Sequence, residues 1–506
     1  MQNHFLKNFQ QKNNVIGGVF MTDMQSVKSL NLEQVNDIYA LVEQAALKWG
    51  DKTGFIFDEF DIHLTFEEIH RKTNKIANYL LKIGINKGDR VGLMIKNRPE
   101  FPLIWLALGK IGAIMIPINV FYKRFDAKYL LEHSEAKLIF TSNEFIPMLQ
   151  EIIEDEHFDV KTEIISIDQE EMPGVPNLYD ELKEVSFESP NVKLFPEDLM
   201  NIQYTSGTTG RPKGCMLSHS YWITMGINCL NLASPKLNET DIMLTAQPFY
   251  YIDPQWNVIT SLMSGATLVV LDRFHPSTFW DKVREYDVTF FYCLGVMPVL
   301  MLKMPESPED RNNKVRQISC SAIPTHLHKT LEERWGAPWS EVFGMTETGI
   351  DITVRSEEHD ELIGTGCIGR PNPHREVRIV DENDEFLPRG EVGELVMRGT
   401  GMMQGYYKDP ESTQKAFRNG FFHTGDLAYM DEDGRIYYVG RLKEMIRRSG
   451  ENISATEVED ALKLFPEVNY AAAVPVPDEI RRSEEHTCRE RVYSVSSSLQ
   501  LHTSHI

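Results

Sequence analysis

Short apolar, β-branched runs recur between longer stretches with helical spacing, and this alternation narrows the fold more than any other feature of the chain. Arg90–Ile95 (RVGLMI), Ala113–Ile118, Leu138–Thr141, Met200–Tyr204, Thr267–Leu271 and Val288–Tyr292 each read as a buried strand. Phe66–Ile83 spaces its apolar residues by three and four and meets Gly84 where a helix should stop. The pattern predicts the α/β class, with a parallel or mixed sheet layered by helices. Between Glu376 and Tyr438 it changes to short strands and tight turns, with Asp433-Gly434 as a hairpin signal. A small β-rich subdomain is therefore expected before a boundary near Gly440. At 506 residues the chain exceeds one compact core, so a large unit followed by a smaller one is expected.

The formal net charge of −22 argues against a nucleic-acid partner or a broad anionic-membrane surface. Any polyphosphate must then be held by a local site. Six separated cysteines form no CxxC pair and read as small buried residues in a reducing, cytoplasmic setting. Phe101–Phe121 is the most membrane-like stretch. Lys110 interrupts it and Pro117 breaks it, so it reads as a buried helix followed by a core strand, and no transmembrane segment is expected. Residues 1–25 lack an apolar signal core and read as a disordered extension, with Met21 or Met24 as alternative starts.

The most informative segment is Asn201–Ser218, NIQYTSGTTGRPKGCMLS. A strand leads into Thr205, Ser206, Gly207, Thr208, Thr209, Gly210 and Lys213, and a helix is expected from about Ser218. Glycines let backbone N–H groups approach phosphate oxygens, hydroxyls add donors, and Lys213 adds a point charge. It is not a Walker loop: Pro212 and Gly214 stand where that motif needs Gly and Ser or Thr.

YTSGTTGRPKG resembles the signature loop of the adenylate-forming superfamily of acyl-CoA ligases, luciferases and peptide-synthetase adenylation domains. Further resemblances follow in family order, over roughly Val27 to Arg481. Phe343-Gly344-Met345-Thr346-Glu347 resembles the aromatic-Gly-x-Thr-Glu motif. The resemblance implies that Phe343 and Gly344 meet adenine, Thr346 the α-phosphate and Glu347 Mg²⁺. Ser321-Ala322-Ile323-Pro324 is similar to the adenine wall, with Ser321 replacing a glycine. Phe422-His423-Thr424-Gly425-Asp426 resembles the segment whose aspartate takes both ribose hydroxyls. Gly440-Arg441-Leu442-Lys443 resembles the domain hinge, with Arg441 reaching the ribose and Lys443 the pivot. The implied reaction joins a carboxylic acid to AMP and then to a thiol, usually that of coenzyme A. Catalytic roles are implied for Lys213, Thr346, Glu347 and Lys443.

The implied organisation is an AMP-binding domain over 26–440, its β-rich part at about 376–440, then a small mobile α+β domain. Relatives carry a Ser-Gly-Lys segment there whose lysine serves adenylation, and this sequence has none. The expectation is a truncated small domain at 441–481 and a disordered, non-family tail at 482–506. That leaves three readings: an acid:CoA ligase, an ATP- or acyl-binding protein without turnover, and an enzyme that charges a carrier-protein thiol. In AQPFYYIDPQWN (Ala246–Asn257), Tyr250, Tyr251 and Trp256 supply an aromatic wall and Asp253 a carboxylate costly to bury unpaired. PFYYIDPQ resembles the matching stretch of crotonobetaine/carnitine–CoA ligases. Aromatic faces with one carboxylate suit a trimethylammonium acid. Medium- or long-chain acids, with Asp253 merely capping a turn, stay open.

Overall fold

The computed structural model describes residues 35–205 and 212–442 and the backbone of four later strands, Met445–Arg448, Glu451–Ser454, Ala471–Pro477 and Cys488–Ser494. The expectations for residues 1–25, Ser206, Gly207, Thr208, Thr209, Gly210 and Lys443 lie outside the described residues.

Two sheets organise the large unit. The six-stranded sheet runs in the order Glu163–Ser166, Leu138–Thr141, Arg90–Met94, Ile114–Pro117, Leu199–Thr205, Lys213–Ser218. Its first four pairings are parallel, and the last is antiparallel. The thirteen-stranded sheet has a parallel core of Trp339–Met345, Gln317–Ser321, Phe290–Leu294, Ile242–Thr245, Thr267–Val270 and Thr53–Phe57. Its other end is antiparallel: Gly349–Thr353, Cys367–Pro371, Ile436–Arg441, Phe422–Met430, Gly393–Gly399 and Arg375–Val380. The β-rich region thus continues the large sheet, because Cys367–Pro371 pairs with both Gly349–Thr353 and Ile436–Arg441.

Helices cover the sheets with their apolar faces. Phe66–Lys82 starts with a capping box in which Thr65 accepts from the Glu68 N–H and Glu68 accepts from the Thr65 N–H. Glu100–Ile111 is buried along its whole length and is followed by the core strand Ile114–Pro117, as its sequence predicts. The Lys110 ammonium inside it donates to Asn74 Oδ1 at 2.6 Å, and burial pulls it down to about 7. Among the described residues no helix is long and apolar enough to cross a membrane.

Two expectations need correction. Val288–Tyr292 slides two residues on, to Phe290–Leu294, because Val288 packs in the loop that feeds the strand. Lys213 lies on a strand, Lys213–Ser218, whose pairing back onto Leu199–Thr205 makes the glycine-rich segment a hairpin connection. Only after it does the expected helix begin, at His219, with the Ser218 hydroxyl accepting from the Tyr221 N–H. Among the later strands, Cys488–Ser494 pairs antiparallel with Ala471–Pro477 from Ala471↔Ser494 to Pro477↔Cys488. Val492 and Tyr493, both good strand formers, sit in that run.

Candidate functional site

Where the large sheet changes from parallel to antiparallel, its strand ends border a cavity of about 440 Å³. Cavities outside the carboxyl ends of parallel strands are where α/β folds place ligands. Thr205 and Lys213 of the hairpin, Ser321 and Gly344 of the large sheet, Thr346 and Glu347 of the turn after Trp339–Met345, and Arg441 all line it, with Asp253 and Trp256. A second cavity of about 450 Å³ adjoins, lined by Tyr122, Gln203, Tyr204, Tyr250 and Tyr251 among others. Thr205, Ile252, Asp253 and Thr346 border both.

The wall of the second cavity is pinned by buried amides. Asn201 accepts from the Trp105 indole at 2.7 Å and donates to Gln255 at 2.9 Å. Gln203 donates to the Tyr250 carbonyl at 2.8 Å, and Gln255 to the Phe249 carbonyl at 2.8 Å. These bonds tie the strand before the hairpin to the turn carrying Tyr250 and Tyr251. Tyr250 is buried, Tyr251 is exposed, and their rings lie 4.7 Å apart. Asp253 sits in the first turn of Ile252–Ser264. Burial pushes its carboxyl up to about 6, against hydrogen bonds from the Trp256 side chain and its own backbone. Tyr292 stands edge-on to Trp256 at 5.3 Å and donates to Ser321 Oγ at 2.9 Å. Ser321 in turn donates to the Val342 carbonyl at 2.7 Å, which is the use this chain makes of a hydroxyl at that position.

The opposite wall is held from behind. Gly344 is required because a Cβ there would meet the Gly349 carbonyl oxygen at 2.2 Å. Tyr221 donates to the Thr346 carbonyl at 3.0 Å, and Tyr406 donates to Glu347 Oε1 at 3.0 Å. Beneath them Arg375, fully buried, pairs with Asp351 and donates to the carbonyls of Thr348 and Thr400. Ala322 takes the left-handed conformation at φ 64°, and its N–H donates to Glu341 Oε1 at 2.8 Å. Burial pushes the Glu341 carboxyl up to about 8 despite the N–H bonds from Ile323 and Ala322.

Asp426 is buried behind the cavity and does not line it. Its Oδ1 is 3.0 Å from Nε of Arg441, the ladder partner that does line it. The stretch of strand before Asp426 is fixed by Glu394, which accepts from Gly425 N–H at 3.0 Å and pairs with His423 at 2.9 Å. Phe343 and Ala322 lie beside the cavities without lining either. Sequence reasoning singled out neither Tyr406, Tyr292, Glu341 nor Arg375. For Tyr406 the available signal was an aromatic pair directly after Gly405.

A family model described as AMP-binding enzyme matches residues 42–407. The chain is an AMP-binding enzyme. It belongs with the AMP-forming acid–thiol ligases, the acyl-CoA synthetases, of that family. It is 33% identical over 479 residues to a crotonobetaine/carnitine–CoA ligase of Citrobacter koseri, covering 90% of this chain and 89% of the relative. A crotonobetaine/carnitine–CoA ligase of Salmonella typhimurium is 32% identical over 471 residues, again covering 90% and 89%. ATP-bound MatB from Rhodopseudomonas palustris superposes with a TM-score of 0.77 at 25% identity, over 88% of this chain and 86% of that one. A Mycobacterium tuberculosis fatty acyl CoA synthetase shares the fold, with a TM-score of 0.75 at 24% identity, over 91% and 88%.

Proposed function

We propose that this AMP-binding enzyme is an ATP-dependent carboxylic acid:CoA ligase whose acid carries a trimethylammonium-type cation, of the carnitine or crotonobetaine kind. The carrying observation is Asp253: one carboxylate at the wall shared by the two cavities, amid Tyr250, Tyr251, Trp256 and Tyr292. Aromatic faces attract a quaternary ammonium, and the carboxylate supplies its counter-charge. The names of the bacterial relatives point the same way.

In this reading the cavity beside Lys213, Thr346 and Glu347 takes ATP, and the cavity beside Tyr250 and Tyr251 takes the acid. The acid's carboxylate oxygen attacks the α-phosphorus, the acyl–O–P bond forms and pyrophosphate leaves. The thiol sulfur of CoA then attacks the acyl carbon, the C–O bond breaks and AMP departs. Lys213 and the Thr205 and Thr346 hydroxyls face the charge that builds on phosphate oxygens. Asp426 takes the ribose hydroxyls, exchanging part of its pair with Arg441 for them. Glu347 fits Mg²⁺: it is a buried, hard oxygen donor in the cavity wall, and Mg²⁺ is commonly held by one or two carboxylates plus substrate phosphates. Bound there, the ion would neutralise phosphate charge. Lys443 remains the proposed hinge pivot, and a cytoplasmic setting suits an enzyme that draws on ATP and CoA.

The test is ATP–pyrophosphate exchange with a panel of acids, followed by AMP release on adding CoA. Exchange should be fastest with betaine-type acids. Equal exchange with neutral medium-chain acids would remove the substrate assignment, and no exchange with any acid would favour a binding protein without turnover. Exchange without CoA-dependent AMP release would point to a carrier-protein thiol.

A further inference from the structure

Lys213 and Glu347 carry opposite charges and line one cavity, yet among the described residues no ion pair joins them. Between them stands Tyr406. Its ring centroid lies 5.0 Å from Lys213 Nζ, and its hydroxyl donates to Glu347 Oε1 at 3.0 Å. We propose that Tyr406 is a positioning residue, a spacer that keeps the phosphate-directed ammonium and the metal-directed carboxylate apart and correctly aimed. This rests on the reading above that Lys213 serves ATP and Glu347 serves Mg²⁺.

The backbone is built to hold that ring still. Residues 404–407 lie antiparallel against the outer edge of Lys213–Ser218: Gln404 N–H donates to Met216 O at 2.9 Å, Met216 N–H to Gly405 O at 3.0 Å, and Tyr407 N–H to Gly214 O at 2.7 Å. Tyr406 N–H is taken by Thr413 Oγ1 at 2.8 Å. Gly405, at φ 133°, admits no larger residue, since a Cβ would meet the Thr413 side chain at 2.8 Å. The segment that supplies Tyr406 therefore shares a ladder with the strand that supplies Lys213. A hydrogen bond to one side of the carboxylate fixes its rotation, and a ring face holds an ammonium without neutralising it. Without the ring, the two charges could close into a direct pair, leaving neither for its ligand.

Calorimetry on the full chain separates the two roles, with ATP titrated in EDTA and again across a Mg²⁺ series. Tyr406→Phe keeps the ring and loses the hydroxyl. It should bind metal-free ATP within about two-fold of the parent, while its half-saturating Mg²⁺ rises about ten-fold, the loss expected for a hydrogen bond to a charged group. Tyr406→Leu should weaken metal-free ATP as well, and adding Glu347→Gln to it should restore that affinity by freeing Lys213. A merely structural role would lower the melting temperature without splitting the two titrations. A parent chain whose ATP binding ignores Mg²⁺ removes the metal reading, and the proposal with it. A parent that responds to Mg²⁺ while Tyr406→Phe responds identically removes the role of Tyr406 alone. Failure of Glu347→Gln to rescue Tyr406→Leu refutes the spacer.

Discussion

Replacing Asp253 with asparagine keeps the shape of the wall and removes its charge. For a trimethylammonium centre about 5 Å away, and an effective dielectric constant of about 20, the Coulomb attraction is about 3 kcal/mol. Desolvating the cation takes back part of it, so about 1.5–2 kcal/mol of preference remains, roughly 10–30-fold in kcat/KM. The measurement is the ratio of kcat/KM for a trimethylammonium acid and its carbon isostere, for parent and Asp253→Asn, between pH 5 and 8. Because burial pushes the Asp253 carboxyl up to about 6, it is mostly protonated at pH 5. The parent's preference should therefore rise as pH passes through about 6, and the variant's should be flat. Stability runs the other way. A carboxyl whose folded pKa is raised binds its proton more tightly in the native state, so stability falls as pH climbs from the ordinary value of 3.8 to about 6. At pH 8 Asp253→Asn should then be at least as stable as the parent. A parent ratio near one at pH 8, or a pH-independent ratio above one, refutes the role of the charge.

If one carboxylate serves two ribose hydroxyls as proposed, Asp426→Ala should weaken ATP by about 1.5–3 kcal/mol in calorimetry; unchanged affinity would remove the ribose assignment. Arg375→Leu leaves Asp351 buried without its cation and should cost about 3–5 kcal/mol in urea denaturation; a cost under about 1 kcal/mol would mean the pair holds nothing in place. Glu358 bonds Arg370 and Arg435, and these cations hold its carboxyl down at about 2 against an ordinary 4.5. A depressed carboxyl contributes stability above its unfolded value and loses it as pH falls from 4.5 toward 2. Glu358→Gln should flatten the parent's acid stability curve in that window, and an unchanged curve would count against the assignment.

Thr267–Val270 in the parallel core and Arg90–Met94, Ile114–Pro117 and Leu138–Thr141 in the smaller sheet were legible as short apolar runs, the last delimited to the residue, whereas Thr53–Phe57, Ile242–Thr245, Gln317–Ser321 and Trp339–Met345 were not singled out. Glu100–Ile111 was legible as a buried helix because one lysine in a long apolar stretch can find a partner, here Asn74. The strand at Lys213–Ser218 was not. Its residues have no clear alternation of apolar and polar side chains, and only the pairing with Leu199–Thr205 makes it a strand. Local motifs placed Thr205, Lys213, Gly344, Thr346, Glu347, Ser321 and Arg441, which the fold gathers around one cavity. What escaped was everything that supports them at long range. Tyr406 meets residues far away in sequence, Arg375 acts through Asp351, and Glu341 through the Ala322 N–H. No spacing along the chain encodes such contacts. The burial of Asp426 behind Arg441 was equally unreadable, because the local sequence gives no sign of which face its carboxyl takes.

Four residues, Thr205, Ile252, Asp253 and Thr346, belong to both cavities at once. In the proposed assignment of nucleotide and acid to these two cavities, binding in one compartment is sensed in the other through shared residues, and the coupling must be reciprocal: whatever factor the acid imposes on nucleotide affinity, the nucleotide imposes on the acid. A substitution at this doorway will not sort into an acid effect or an ATP effect. It will move both dissociation constants together, whereas changes at Tyr250 on one side or Arg441 on the other can move one alone. Acid selectivity can thus diverge among such enzymes at the outer wall, while the doorway stays constrained by two ligands at the same time.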